Sequence, residues 1–170
     1  MLFLGFDNGT TSKGIGVVGD KGHKSLIKLP TKRELSYTKQ GKYITRINTP
    51  ALMEELRLVQ EIADKEEEGK VFVGLERPMV NSTRFNASLS AVRTLEATLI
   101  ALEALNMAYE YYDSKQWQRV MLPKNTIGSK ELKKASLDIG KRLFPELNVK
   151  GDADGLLLAE YMRRHNKREL

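Results

Sequence analysis

The 170-residue chain contains no cysteine and only two histidines, His23 and His165. The first absence excludes disulfides, thiolate metal sites and a cysteine nucleophile, and it suits a reducing compartment. The second leaves any multi-histidine zinc centre or serine-histidine triad resting on one of two residues in lysine-rich surroundings. No apolar run approaches the roughly 18 residues that a membrane span requires. The opening Met-Leu-Phe-Leu-Gly-Phe meets Asp7 without a basic leader and reads as a buried strand rather than a targeting segment, so a cytoplasmic protein with no membrane partner is expected. What is present, 41% hydrophobic and 29% charged residues, is the composition of a globular chain, and the length supplies a single domain over residues 1–170 with a basic C-terminal tail.

Twenty-eight basic residues against 22 acidic ones give a net charge of +6. Their distribution carries more information than the sum. Lys21, Lys24, Lys28, Lys32, Arg33, Lys39, Lys42 and Arg46 crowd one segment with Glu34 among them, and Arg163, Arg164, Lys167 and Arg168 crowd the C-terminus. Such runs are either solvated surface or an electrostatic footprint for nucleic-acid phosphates.

Turn chemistry and periodicity divide the chain. Apolar residues 2–6 end at Asp7, Asn8 to Thr11 form a turn, and Ile15, Val17 and Val18 resume a β pattern. A third strand is expected at residues 25–29, or after Pro30 at 43–47, or at both. Thr49-Pro50 reads as a cap and a helix-starting proline, with Leu52, Leu56, Val59 and Ile62 or Ala63 keeping a 3.6 period until Gly69. Residues 71–75 form a short β run that delivers Glu76 before Pro78, and 79–86 read as a polar loop. Leu89, Val92, Leu95, Leu99, Leu102 and Leu105 then mark a helical stripe wide enough to be buried on two sides. Residues 109–112 give a fifth strand, Ser114 opens a short helix carrying Trp117, residues 129–143 form a helix capped by Ser129, and a last helix starts near Asp152. This order predicts an α/β fold with a five-stranded mixed sheet, three antiparallel strands followed by parallel crossovers, flanked by helices.

That order turns isolated acids into a constellation. Asp7 ends the first strand, Glu76 ends the fourth, and Asp152 and Asp154 open the last helix. Each alone reads equally as a turn former or helix cap. Together they suit divalent-metal catalysis, because Mg²⁺ prefers oxygen ligands and, in pairs about 4 Å apart, stabilises both the attacking and the leaving oxygen of a phosphodiester.

Leu4-Gly5-Phe6-Asp7-Asn8-Gly9, Glu76-Arg77-Pro78, the stretch from Tyr109 to Trp117, and Gly151-Asp152-Ala153-Asp154-Gly155 with the apolar run after it resemble the RuvC-like Holliday junction resolvases of the ribonuclease H superfamily, especially those of bacteriophages. The basic segment 21–47 matches least well. The resemblance implies one ribonuclease H-like nuclease domain that binds two Mg²⁺, with Mn²⁺ able to substitute, through Asp7, Glu76, Asp154 and Asp152, and cuts four-way and related branched DNA as a homodimer, in the host cytoplasm if phage-encoded. One departure matters: the family's last two metal-site residues are commonly three apart, whereas Asp152 and Asp154 are two apart and would diverge by about 200° on a regular helix. Met79, Arg84 and Phe85, in the loop after Glu76, and Lys115 and Lys124 are candidate DNA contacts. Phe85 reads alternatively as a staple for the next helix. The leucine stripe is either the dimer interface or an intramolecular core helix. Rival readings are a ribonuclease H or other nuclease of the superfamily, an actin-like sugar kinase or ATPase fragment, suggested by Asp7-Asn8-Gly9-Thr10-Thr11-Ser12, and a non-catalytic DNA-binding module.

Overall fold

The computed structural model describes residues 1–7, 9, 14–151 and 153–166. Along the described chain run β1 (Leu2–Phe6), β2 (Gly14–Gly19), β3 (Lys24–Lys28), β4 (Thr31–Leu35), β5 (Tyr43–Ile47), α1 (Thr49–Lys65), β6 (Val71–Glu76), a 3₁₀ turn (Ser82–Arg84), α2 (Phe85–Ala104), β7 (Ala108–Tyr112), α3 (Ser114–Met121), α4 (Ser129–Leu143) and α5 (Asp154–Asn166). The main sheet has the order β3-β2-β1-β6-β7; β1, β2 and β3 are antiparallel neighbours, and β6 and β7 add in parallel. This is the mixed sheet that the sequence predicts.

Both candidates for the third strand are strands, but only β3 joins the main sheet. β5 pairs instead with β4, a strand absent from the sequence reading, in a separate two-stranded hairpin. Pro30 explains the split. It lacks the N–H that would extend the β3 ladder, and its carbonyl accepts from Asn48 N–H at 3.0 Å, closing the base of the hairpin.

Helices cover both faces of the sheet, so β1 is buried along its whole length and reads as an unbroken apolar run. Leu2, Leu4 and Phe6 share one buried cluster with Leu52, Leu56 and Val59 of α1 and Ala101 and Leu102 of α2. Phe3, between them in sequence, belongs to a second cluster with Trp117 of α3, Phe144 and the Leu156–Ala159 stretch of α5. The period-2 alternation of β1 therefore separates the two cores.

Several local expectations are corrected. The N-cap of α1 is Asn48, whose side chain accepts from Ala51 N–H, and Thr49 is already helical. That helix ends at Lys65, four residues before Gly69, and Glu67 takes a left-handed conformation (φ 53°) in the exit turn. The N-cap position of α4 is Gly128, at φ 98°, rather than Ser129. Residues 79–86 are not all loop, since the 3₁₀ turn leads straight into α2 at Phe85. On α2 the fully buried positions are Ser88, Thr94, Thr98, Ala101 and Leu102 rather than the whole leucine stripe. The Thr94 and Thr98 hydroxyls donate to the carbonyls of Ser90 and Thr94, each at 2.9 Å, which satisfies them without an outside partner. Val92 and Ile100 are left at the surface.

Candidate active site

Strand alternation selects the face on which the acids emerge. Phe3 and Gly5 of β1 face α5, so Asp7, two residues on, continues that row. In β6 the equivalent row is Phe72, Gly74 and Glu76, because the parallel register sets Phe72 beside Phe3, Gly74 beside Gly5 and Leu75 beside Phe6. Asp7 and Glu76 thus leave neighbouring parallel strands at the same end and on the same face. Both are half-buried and line one cleft of about 240 Å³, shared with Arg77, Met79, Asn81, Arg84 and Ser88.

The helix α5 comes down on this end because three glycines remove the side chains that would hold it off. A Cβ on Gly155 would lie 2.6 Å from the Gly14 carbonyl oxygen and 2.8 Å from that of Gly5. A Cβ on Gly5 would lie 2.8 Å from Ala159 N, and one on Gly16 would overlap the backbone of Leu156. Met162, two turns further along α5, packs on Gly74, and Asn166 reaches Met1 at the opposite end of the sheet. The helix therefore runs antiparallel to β1, and its first residue, Asp154, stands at the end from which Asp7 and Glu76 emerge. Ser136 of α4, itself buried, donates its hydroxyl to Asp154 Oδ1 and accepts from Ala153 N–H at 3.1 Å.

Glu76 is also held from behind. The indole Nε1–H of Trp117 donates to Glu76 Oε2 at 3.0 Å, and the Trp117 ring is completely buried. Sequence reading placed Trp117 on α3 but gave it no role; the contact spans 41 residues and has no local signature. Asn81 is the second residue that sequence reading missed. Its side-chain oxygen accepts from Thr83 N–H (2.9 Å) and hydroxyl (2.8 Å), and its backbone N–H donates to Ser88 Oγ at 2.8 Å, tying the loop after β6 to α2.

Of the other predicted residues, Met79 and Arg84 line the cleft, with Met79 largely exposed. Phe85, two-thirds exposed at the start of α2, does not staple the helix. Lys115, in the first turn of α3, and Lys124, after it, are exposed and outside the cleft lining. Asp152 lies outside the described residues, and α5 begins at Asp154, so the question of two acids on one helix face does not arise within the helix. Among the described residues, no three Asp, Glu or His side chains gather closely enough to enclose a metal ion. The donor chemistry of Asp7, Glu76 and Asp154 nevertheless fits a hard divalent cation, being all carboxylate oxygen at one strand end.

No family model matches the chain, and no curated protein matches it. Solved structures do. A structure of Thermus thermophilus RuvC in complex with a Holliday junction substrate superposes with a TM-score of 0.55 and 18% identity over 99% of this chain and 96% of that one. A second Thermus thermophilus RuvC structure gives 0.55 and 16% over 98% and 97%. The fold is that of RuvC. Nearly end-to-end coverage means that the RuvC-like, ribonuclease H-like arrangement accounts for the sheet and its flanking helices together. No helix among the described residues is long and apolar enough to cross a membrane.

Proposed function

We propose that this protein is a metal-dependent endonuclease that resolves Holliday junctions and related branched DNA by hydrolysing phosphodiesters. The observation that carries the reading is the emergence of Asp7 and Glu76 from adjacent parallel strands into one cleft, with Asp154 brought to the same end by the glycine-packed α5. That one of the RuvC structures of the same fold holds a Holliday junction substrate supports branched DNA as the substrate class.

In this reading Asp7, Glu76, Asp154 and Asp152 hold two Mg²⁺ ions, with Mn²⁺ able to replace them. When bound, the ions supply positive charge that stabilises the attacking and leaving oxygens of an in-line displacement. The chain's own groups prepare the site. Asp7, just past the end of β1, would serve as a ligand beside Glu76. Trp117 fixes the Glu76 carboxylate, and Ser136 fixes Asp154, so neither must be ordered when substrate arrives. Arg77 and Arg84, on the rim of the cleft, draw in a phosphate. The products are a 5′-phosphate and a 3′-hydroxyl. The protein works in the cytoplasm, as one domain per subunit of a homodimer, because a four-way junction has two equivalent strands to cut.

The test is cleavage of a four-way junction, an RNA/DNA hybrid and a linear duplex side by side, with and without Mg²⁺. Wild-type protein should cut the junction in a metal-dependent manner. Asp7→Asn and Glu76→Gln should bind it without cutting. Near wild-type cleavage by either variant would refute the assignment of the acids, and preferential cleavage of the hybrid would move the reading to a ribonuclease H.

A further inference from the structure

We infer that the β4–β5 hairpin is a nucleic-acid arm that grips the sugar-phosphate backbone of a DNA branch outside the cleft; this rests on the nuclease reading above and names a surface that reading does not require. The hairpin adds nothing to the main sheet, and its outer end is not buried. Residues 31–47 carry Lys32, Arg33, Lys39, Lys42 and Arg46 against the single acid Glu34. Glu34 is engaged by Arg46 and by Lys32 at 3.2 Å, which leaves Arg33 and the two tip lysines as the outward charge.

The exposed face combines that charge with large apolar surface. In the β4–β5 register Leu35 lies opposite Tyr43, and the Arg33 guanidinium sits 4.7 Å from the Tyr43 ring centroid. Leu35, Tyr37 and Tyr43 are all more than half exposed. Two-stranded hairpins are marginal in water, and apolar residues on an open ribbon are a liability unless they meet a partner. A cation stacked on an aromatic ring beside lysines matches deoxyribose and phosphate, which offer apolar and anionic surface in alternation. An acidic protein surface would use the lysines but leave Leu35 and Tyr43 unexplained.

The topology sets the hairpin at the right end of the molecule. β3 runs parallel to β1, and its last residue, Lys28, pairs with Gly14 at the end of the sheet from which Asp7 and Glu76 emerge. The chain enters the hairpin there through Leu29 and leaves it through Ile47, both buried in the cluster that holds Phe6 and Leu75. Its tip is braced on α2, where Arg93 donates to the Tyr37 hydroxyl at 3.1 Å. A cleft of about 330 Å³ separates hairpin and helix, lined by Tyr37, Thr45 and Arg46 on one side and Arg93 and Ile100 on the other. The same helix lines the acid cleft with Ala87, Ser88 and Ala91. From Ser88 to Ile100 the helix rises about 18 Å, less than the roughly 34 Å of one duplex turn. A strand seated at Asp7 and Glu76 would therefore meet the hairpin within one turn.

The experiment measures affinity for a four-way junction and for an RNA/DNA hybrid duplex across a salt series, in Ca²⁺ to prevent cleavage, for full-length wild type, Lys39→Ala/Lys42→Ala and Tyr43→Ala. Single-turnover cleavage at saturating DNA in Mg²⁺ is measured alongside. Losing two phosphate contacts should lower the slope of log affinity against log salt by about 2. Tyr43→Ala should weaken binding severalfold without changing that slope, and both variants should cleave at the wild-type rate once saturated. All three residues are exposed, so the fold is preserved. Variants that bind as wild type at every salt concentration overturn the arm while leaving the nuclease reading intact. A wild type that ignores junctions but binds a hybrid duplex, with the same loss in the variants, overturns the junction reading and keeps the arm. Binding of neither nucleic acid overturns both.

Discussion

Replacing Trp117 by Phe keeps most of the buried ring and removes one group, the Nε1–H that donates to Glu76. A hydrogen bond to a charged acceptor contributes about 1.5 to 3 kcal/mol. Glu76 is only half-buried and can recover some solvation, so the stability loss should fall near 2 kcal/mol. For a chain of this size that is a Tm decrease of about 4 to 8 °C. Loss of function should be disproportionate, because an unrestrained Glu76 must be ordered at each binding event; supporting contacts behind ligands are typically worth about 10- to 100-fold in affinity or rate. The variant should need about 10- to 100-fold more Mg²⁺ for half-maximal cleavage and approach the wild-type rate when saturated. A structural defect alone would lower the rate at all Mg²⁺ concentrations. An independent readout exists because Trp117 is the sole tryptophan. Its emission in the wild type should change as Mg²⁺ or Mn²⁺ is added, over the range in which cleavage appears, and should not change in Glu76→Gln. Unaltered metal dependence in Trp117→Phe, or emission indifferent to the cation while activity saturates, would falsify the positioning role.

Gly155→Ala should destabilise the protein by about 3 kcal/mol in denaturant unfolding, since the new methyl meets backbone oxygens of two strands that cannot move independently; a wild-type midpoint would mean that α5 is not seated as described. Burial opposes ionisation of Glu160, but hydrogen bonds from Arg163 and Arg164, at 2.7 to 2.8 Å, prevail and hold its carboxyl below the ordinary value of 4.5. Its contribution is then complete above the ordinary carboxylate range and is lost as pH falls through the lowered folded value, so Glu160→Gln should flatten the acid limb of a stability–pH curve, and an unchanged limb would contradict this. Sedimentation of the wild type at micromolar concentration should show a dimer, and Ile100→Glu, at a surface position on α2, should shift it toward monomer without unfolding; a monomeric wild type with junction bound would rule the dimer out.

Glycines, prolines and apolar periodicity were enough to locate the five strands of the main sheet, the long helices and the acids at the ends of β1 and β6, because those signals act over a few residues and survive in any tertiary setting. The same local character explains the errors. Whether 43–47 joins the main sheet or folds back on 31–35 depends on which edge is available after Pro30 ends β3, and nothing in the alternation of either segment states its partner. The stripe on α2 was read as leucine because leucines recur at helical spacing, yet the helix buries Ser88, Thr94 and Thr98, whose hydroxyls are satisfied within or beside the helix. Above all, the site is a product of register. One residue of slippage between β1 and β6 would send Glu76 to the opposite face from Asp7. Only the packing of Gly155 onto Gly5 and Gly16, and of Trp117 behind Glu76, brings the start of α5 to the strand ends that carry Asp7 and Glu76 and holds the Glu76 carboxylate, because those contacts join residues 41 to 150 positions apart and leave no mark in the local sequence.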